Sequence, residues 1–166
     1  MADFEQVKKY VTNMLTGGNE SDVEFEDENY CALTDKSGNV LHLSYNPVSD
    51  KLTLMGTLGK LPEVEEAINE HNSGKIDEHA SVTILKYFLE CNLLWERSAG
   101  ATFALVEDGD YLVVQKSFDL DTMSQDDFNT AIKGFSADLN MWIDNYGKVQ
   151  EKAIRGDSLD EIAEEL

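Results

Sequence analysis

Basic residues are scarce in this chain. Thirteen lysines and arginines stand against 33 aspartates and glutamates, which gives the 166 residues a formal net charge of -20. Such a surface lacks the cations that the phosphates of DNA, RNA or an anionic membrane would require. The charge therefore argues against nucleic-acid and membrane partners. It suits high solubility, a basic or unfolded protein partner, or mimicry of nucleic acid.

Long apolar runs, leader signals and cysteines are also lacking. The longest charge-free run, 37–49, contains Asn, Ser, Gly and Pro, so no membrane-spanning helix is predicted. The N-terminus carries charges and no apolar core segment, so no signal peptide is predicted either. Cys31 and Cys91 lie 60 residues apart outside any CxxC motif. Both are expected to pack as small apolar residues in a reducing cytosol.

Motifs that carry catalysis or tight ligand binding are missing. The chain contains no P-loop, no GxGxxG and no GxSxG. The aspartate pairs have metal-like spacing but lie in no EF-hand loop. An enzyme is therefore the least supported class, and we expect neither a metal nor a nucleotide cofactor. The histidines and paired aspartates that lie outside any such motif are His42, His71, His79, Asp108, Asp110, Asp119 and Asp121.

What the chain does contain is the composition of one soluble globular domain, with 42% hydrophobic and 28% charged residues. Apolar periodicity predicts helices over 3–16 and 77–95, a short helical region after Pro62, and a final helix that begins at Ser124. Ser124 and Asp127 have the spacing of a capping box.

Strands joined by short turns are predicted between these helices. The acid-rich stretch 19–28 is interpreted as a solvated connector, and Gly56 and Gly59 are expected to end the third strand. The resulting order, α-β-β-β-α-β-β-α, predicts an α+β fold in which an antiparallel sheet is flanked by helices. The predicted strands are Tyr30–Thr34, Val40–Tyr45, Leu52–Met55, Ala101–Val106 and Tyr111–Ser117.

The 77–95 helix carries more apolar side chains than one helix face can bury against such a sheet. Three interpretations stay open: a thick monomer core, a homodimer, or the surface for another partner. The apolar residues crowded into its second half are Tyr87, Phe88, Leu89, Leu93, Leu94 and Trp95.

Several local patterns resemble the class I chaperones of bacterial type III secretion, the Tir-chaperone family. The stretch Leu85–Leu94 is similar to the family's apolar helix with its Leu-x-x-Asn-type segment. The resemblance covers residues 1 to about 150, although 60–76 is longer than the family's connection. The other matching segments are Gly100–Leu105, Asp108–Val114, Phe118–Leu120, Phe128 and Phe135–Trp142.

The resemblance implies a homodimer in the bacterial cytoplasm that holds the N-terminal segment of a secreted effector in extended form, without a nucleotide. It implies one domain over 1–155, followed by an acidic tail over 156–166 that has no family counterpart. The implied partner-binding residues are Phe4, Val7, Leu43, Leu52 and Leu54, for which simple core packing stays an equal alternative. The implied dimer-interface residues are Leu85, Phe88, Leu89 and Trp95.

Other functions remain open at this point. An acidic inhibitor or immunity protein that mimics nucleic acid would be expected to cluster its carboxylates on one face. Here the acids are spread over 19–28, 63–70, 107–127 and 157–165. A domain of the same fold without a secretion role, and an enzyme with a carboxylate-bound metal, are further alternatives.

Overall fold

The computed structural model describes residues 4–15, 23–27, 29–62, 80–93, 98–106 and 110–164. Its helices are α1 (Phe4–Leu15), α2 (Ala80–Asn92), α3 (Gln125–Arg155) and α4 (Leu159–Glu164), with a 3-10 turn at Leu120–Thr122. Its strands are β1 (Val23–Asp27), β2 (Tyr30–Thr34), β3 (Val40–Asn46), β4 (Lys51–Lys60), β5 (Thr102–Leu105) and β6 (Tyr111–Asp119).

The six strands form one sheet in the order β1-β2-β3-β4-β6-β5. The pairs from β1 to β4 are antiparallel, with Cys31 opposite Leu43 and Leu43 opposite Leu54. Side chains alternate along β3 and β4, so that one row is buried and the other is more exposed. The predicted α+β class is confirmed.

Two predictions about strands are wrong. Residues 23–27, interpreted as a solvated connector, form β1, because their backbone pairs with β2. The third predicted strand also continues through Gly56 and Gly59 to Lys60. These glycines are packing positions: a β-carbon on Gly56 would lie 2.5 Å from Leu139 Cδ2, and one on Gly59 would collide with the Tyr146 ring.

The chain divides into two compact units. Unit 1 is Met1–Gly56 with Gln115–Asn140, and unit 2 is Thr57–Val114 with Met141–Leu166. The domain expected over 1–155 and the tail expected after it remain predictions. The residues that were assigned to that tail include α4, which packs against α2 within unit 2 and buries Ile162 completely.

The core of unit 1 lies under α1 and the first half of α3. Val7 and Val11 of α1 are fully buried, as are Phe128 and Leu139 of α3. The predicted capping box begins α3: Asp127 Oδ2 accepts hydrogen bonds from the Ser124 hydroxyl at 2.6 Å and its amide at 3.0 Å.

The core of unit 2 is aromatic. The ring of Phe88 lies 4.9 Å from that of Phe103, whose ring lies 4.7 Å from that of Trp142. The Tyr146 hydroxyl donates a 2.5 Å hydrogen bond to the Lys60 carbonyl, and burial raises its pKa to about 12. These rings anchor the second half of α3 to α2 and β5.

Candidate protein-binding site

An open groove of about 490 Å³ lies in unit 1. We call it the unit 1 groove. The last turn of α1, the β2–β3 turn and one face of α3 form its walls. Its apolar lining comes from Met14, Leu15, Leu33, Leu41 and Ile132, and its polar rim from Thr34, Asp35, Lys36, Ser37, Lys133 and Ser136.

Helix α1 is fixed against the start of α3 by polar contacts. The Tyr10 hydroxyl donates to the Met123 carbonyl at 2.7 Å, and the Gln125 amide donates to the Tyr10 carbonyl at 2.9 Å. Asn13 donates to the Gln125 side chain at 3.0 Å. These bonds hold the last turn of α1 in place, where Met14 and Leu15 remain partly exposed at the groove.

Asp35 joins the β2–β3 turn to α3. Its carboxylate accepts hydrogen bonds from the Ser136 hydroxyl at 2.7 Å and from the backbone amides of Ser37 and Asn39 at 2.8 and 2.9 Å, with a longer 3.4 Å bond from Asn140. Burial of the carboxylate opposes its ionisation, but these donors outweigh burial and lower the pKa of Asp35. The groove rim is therefore built around an ionised aspartate.

We expect Asp35→Ala to lower the free energy of unfolding at neutral pH by about 1–2 kcal/mol, because the turn amides and Ser136 lose their acceptor. Since folding lowers this pKa, the ionised carboxylate stabilises the fold above its unfolded pKa of about 3.9. That contribution is lost as the pH falls through the folded pKa. Urea titrations should therefore show that the parent and the variant differ less in their free energy of unfolding below about pH 4 than at neutral pH. An equal difference in this free energy at acidic and neutral pH would contradict this role.

A second, smaller groove of about 240 Å³ lies in unit 2, where α2 meets β5. Asn92 fixes the helix to the strand, since its side chain accepts from the Phe103 amide at 2.8 Å and donates to the Phe103 carbonyl at 3.0 Å. Beside this groove Leu89 is 63% exposed and Leu93 72% exposed. We call the surface of Leu89, Leu93 and Leu105 the α2–β5 face.

The site residues predicted from the sequence differ in how far the structure buries them. All five implied partner-binding residues lie in the core of unit 1 at 0–5% exposure, so the core alternative describes them: Phe4, Val7, Leu43, Leu52 and Leu54. Among the implied dimer residues, Phe88 is buried, Leu85 half-buried and Leu89 exposed. Trp95 lies outside the described residues, as do His71, His79 and the helical region expected after Pro62.

Chemistry is sparse among the described residues. No group of His, Cys, Asp or Glu in these ranges could hold a metal ion. Cys31 and Cys91 are buried and form no disulfide, and burial raises the pKa of the Cys31 thiol to about 12. His42 hydrogen-bonds Tyr30 across the strand pair. No helix in the described ranges is long and apolar enough to cross a membrane.

The sequence also matches a family of chaperone proteins. The model of the Tir chaperone protein (CesT) family matches residues 14–142. The chain belongs to the CesT family. The match spans both the groove-lining turn of α1 and the whole of α2 and β5. No curated protein sequence matches the chain.

Solved structures share the CesT fold of this chain at low sequence identity. A chain of the HopA1–SchA chaperone–effector complex has a TM-score of 0.55 at 18% identity, covering 88% of this chain and 98% of that one. A chain of the ExsC–ExsE complex has a TM-score of 0.62 at 12% identity, covering 86% and 95%. A chain of the structure of the Yersinia pestis type III secretion chaperone SycH in complex with a fragment of YscM2 has a TM-score of 0.52 at 17% identity, covering 83% of this chain and 97% of that one.

Proposed function

We propose that this protein is a type III secretion chaperone that binds the N-terminal segment of one or more secreted effectors and keeps it extended, soluble and competent for secretion. The family match over 14–142 carries this proposal. The likeness to a chain of the HopA1–SchA chaperone–effector complex supports it. The protein acts in the bacterial cytoplasm and catalyses no reaction.

The unit 1 groove is the proposed contact for the effector segment. We propose this groove rather than the five residues implied by the resemblance, because a side chain at 0–5% exposure offers almost no surface to a partner. Met14 and Leu15 instead present apolar surface at the margin of α1. An extended segment suits this kind of site, since a few of its side chains enter the groove while its backbone stays available for pairing.

The outer edge of β1 is the proposed place for such pairing. The strand order leaves β1 and β5 at the two ends of the sheet. An edge strand exposes amide and carbonyl groups that an extended peptide can satisfy. Phe25 of β1 is 39% exposed and adds apolar surface beside that edge.

The α2–β5 face is the proposed homodimer interface. Exposed leucines at this density on a highly charged protein favour burial against a second copy. In a two-fold contact the burial of these leucines has to outweigh the repulsion between two chains of charge -20. That charge also argues against nucleic acid or membrane as partners.

The test is secretion in the native host. The tagged protein is purified from host cells and the bound proteins are identified. Each is then re-expressed as its N-terminal segment alone and as the remainder. We expect the N-terminal segment to bind and the remainder not to bind. Deletion of the chaperone gene should abolish secretion of that effector, and the parent gene should restore it.

The matched control is a gene copy that carries Val48→Asp, a change at a turn residue that is 93% exposed and outside the groove. This copy should restore secretion as well as the parent does. Unchanged secretion of every bound protein in the deletion strain would overturn the proposed function. So would binding that maps only to the folded remainder.

A further inference from the structure

Two lysines that line the unit 1 groove make no ion pair within the described part of the chain. Within the described ranges, Lys8, Lys51 and Arg155 form ion pairs with carboxylates. Lys36 and Lys133 make no ion pair with any described residue, although the chain has 33 acids. Both border the groove.

The fold brings together the two elements that carry these lysines. Lys36 follows Asp35 in the β2–β3 turn, and Lys133 lies one helical turn before Ser136 on the same side of α3. The 2.7 Å bond between Asp35 and Ser136 joins the turn to the helix, and so it brings the two lysines to a common rim.

The carboxylate of Asp35 forms no ion pair with either lysine. Its hydrogen bonds come from Ser136, Asn140 and the amides of Ser37 and Asn39. The groove thus combines an apolar floor with two ammonium groups whose carboxylate partners are missing from the described part of the chain. Unpaired cations beside an apolar surface are the recognition chemistry for a carboxylate next to an apolar side chain.

We infer that the unit 1 groove selects effector segments in which aspartate or glutamate follows or precedes large apolar residues, with Lys36 and Lys133 pairing the acid. This inference rests on the proposed function, since it names the partner chemistry of the same site. At this groove the positive charges of Lys36 and Lys133 would offset the repulsion between an acidic segment and the rest of a protein of charge -20.

The test uses labelled peptides of alternating leucine and aspartate, with a leucine and asparagine peptide of equal length as the neutral reference, and fluorescence anisotropy as the readout. The parent should bind the aspartate peptide about 3-fold or more tightly than the asparagine peptide. Raising the salt from about 0.1 to 1 M should remove this preference, because the Debye length falls to about 3 Å.

The variants reverse the charge of individual lysines. Lys133→Glu and the double change with Lys36→Glu should abolish or reverse the preference for aspartate. Lys148→Glu is the matched control, since it alters the net charge equally on the same helix, about 22 Å away along its axis, and should leave the preference intact. All of these lysines are exposed, so thermal melts of the variants should resemble that of the parent.

The outcomes separate the two proposals. Equal binding of both peptides, or equal effects of Lys133→Glu and Lys148→Glu, would overturn the acidic selectivity while leaving effector binding and secretion intact. Secretion of the bound effectors in a host that lacks the chaperone gene would overturn the proposed function instead. A change in oligomeric state of the Lys36/Lys133 variant with unchanged peptide preference would assign the groove to a second copy, and would also overturn the inference.

Discussion

Gly59→Ala is expected to lower the free energy of unfolding by about 2–3 kcal/mol, because its methyl group has no space. The position faces the ring of Tyr146, and an added β-carbon would overlap the Cε1 atom of that ring. The ring has little freedom to retreat. Its hydroxyl is hydrogen-bonded to the Lys60 carbonyl at 2.5 Å, and its ring centroid lies 6.0 Å from that of Phe88. Urea denaturation of the purified variant measures the loss.

Gly134→Ala is the matched control for this prediction. Gly134 lies on the exposed side of α3, and a β-carbon there would meet no atom within 4 Å. The same chemical change should therefore stabilise the protein by about 0.5–1 kcal/mol through helix propensity. Equal stability of the Gly59 variant and the parent would show that the Tyr146 ring can move aside, and would remove the packing reason for this glycine.

The glycines of β4 illustrate why the sequence predicts the elements better than their ends. Local composition places a turn or strand end at Gly56 and Gly59, since glycine weakens an isolated strand. In the fold these positions lie beneath Leu139 and Tyr146, which follow more than 80 residues later in the sequence. The close approach of α3 requires glycine at these two positions. The neighbouring sequence does not show this contact, so it cannot be predicted from a local pattern.

The first strand was missed for a related reason. Residues 19–28 are rich in acids, and this composition indicates a connector. The short alternation of Val23 and Phe25 with Glu24 and Glu26 is the strand signal that the acid content outweighs. Pairing of Val23 with Leu33 and of Glu24 with Ala32 turns part of this stretch into an edge strand. Edge strands tolerate charged residues because only one side of their backbone is paired.

The candidate site was predictable in part. The apolar stripe of α1 is visible in the sequence, and its margin supplies Met14 and Leu15 to the groove. The rim was not predictable, because Asp35 and Ser136 are 101 residues apart and meet only when α3 packs beside the β2–β3 turn. The excess of apolar residues near Leu89 was readable from the sequence, and the structure shows that Leu89 and Leu93 are its exposed members.

Leu89→Asp is expected to weaken the proposed homodimer by ~30-fold or more in dissociation constant, since a central apolar contact contributes about 2 kcal/mol or more. A two-fold interface contains the residue twice, so each substitution acts on both copies. Because Leu89 is 63% exposed in the single chain, its replacement should cost the monomer little folding free energy. Sedimentation equilibrium across a range of protein concentrations measures the dissociation constant, and circular dichroism verifies the fold.

Val48→Asp provides the comparison, because it introduces the same charge at another exposed apolar residue, in the turn between β3 and β4. It should leave the dissociation constant unchanged, whereas Leu89→Asp should give a folded monomer at concentrations where the parent is a dimer. If the parent itself sediments as a monomer at micromolar concentration, the α2–β5 face is not a dimer interface. If both variants remain dimers, the two-fold contact lies elsewhere on the protein, and the exposed leucines of α2 are then free to bind the effector.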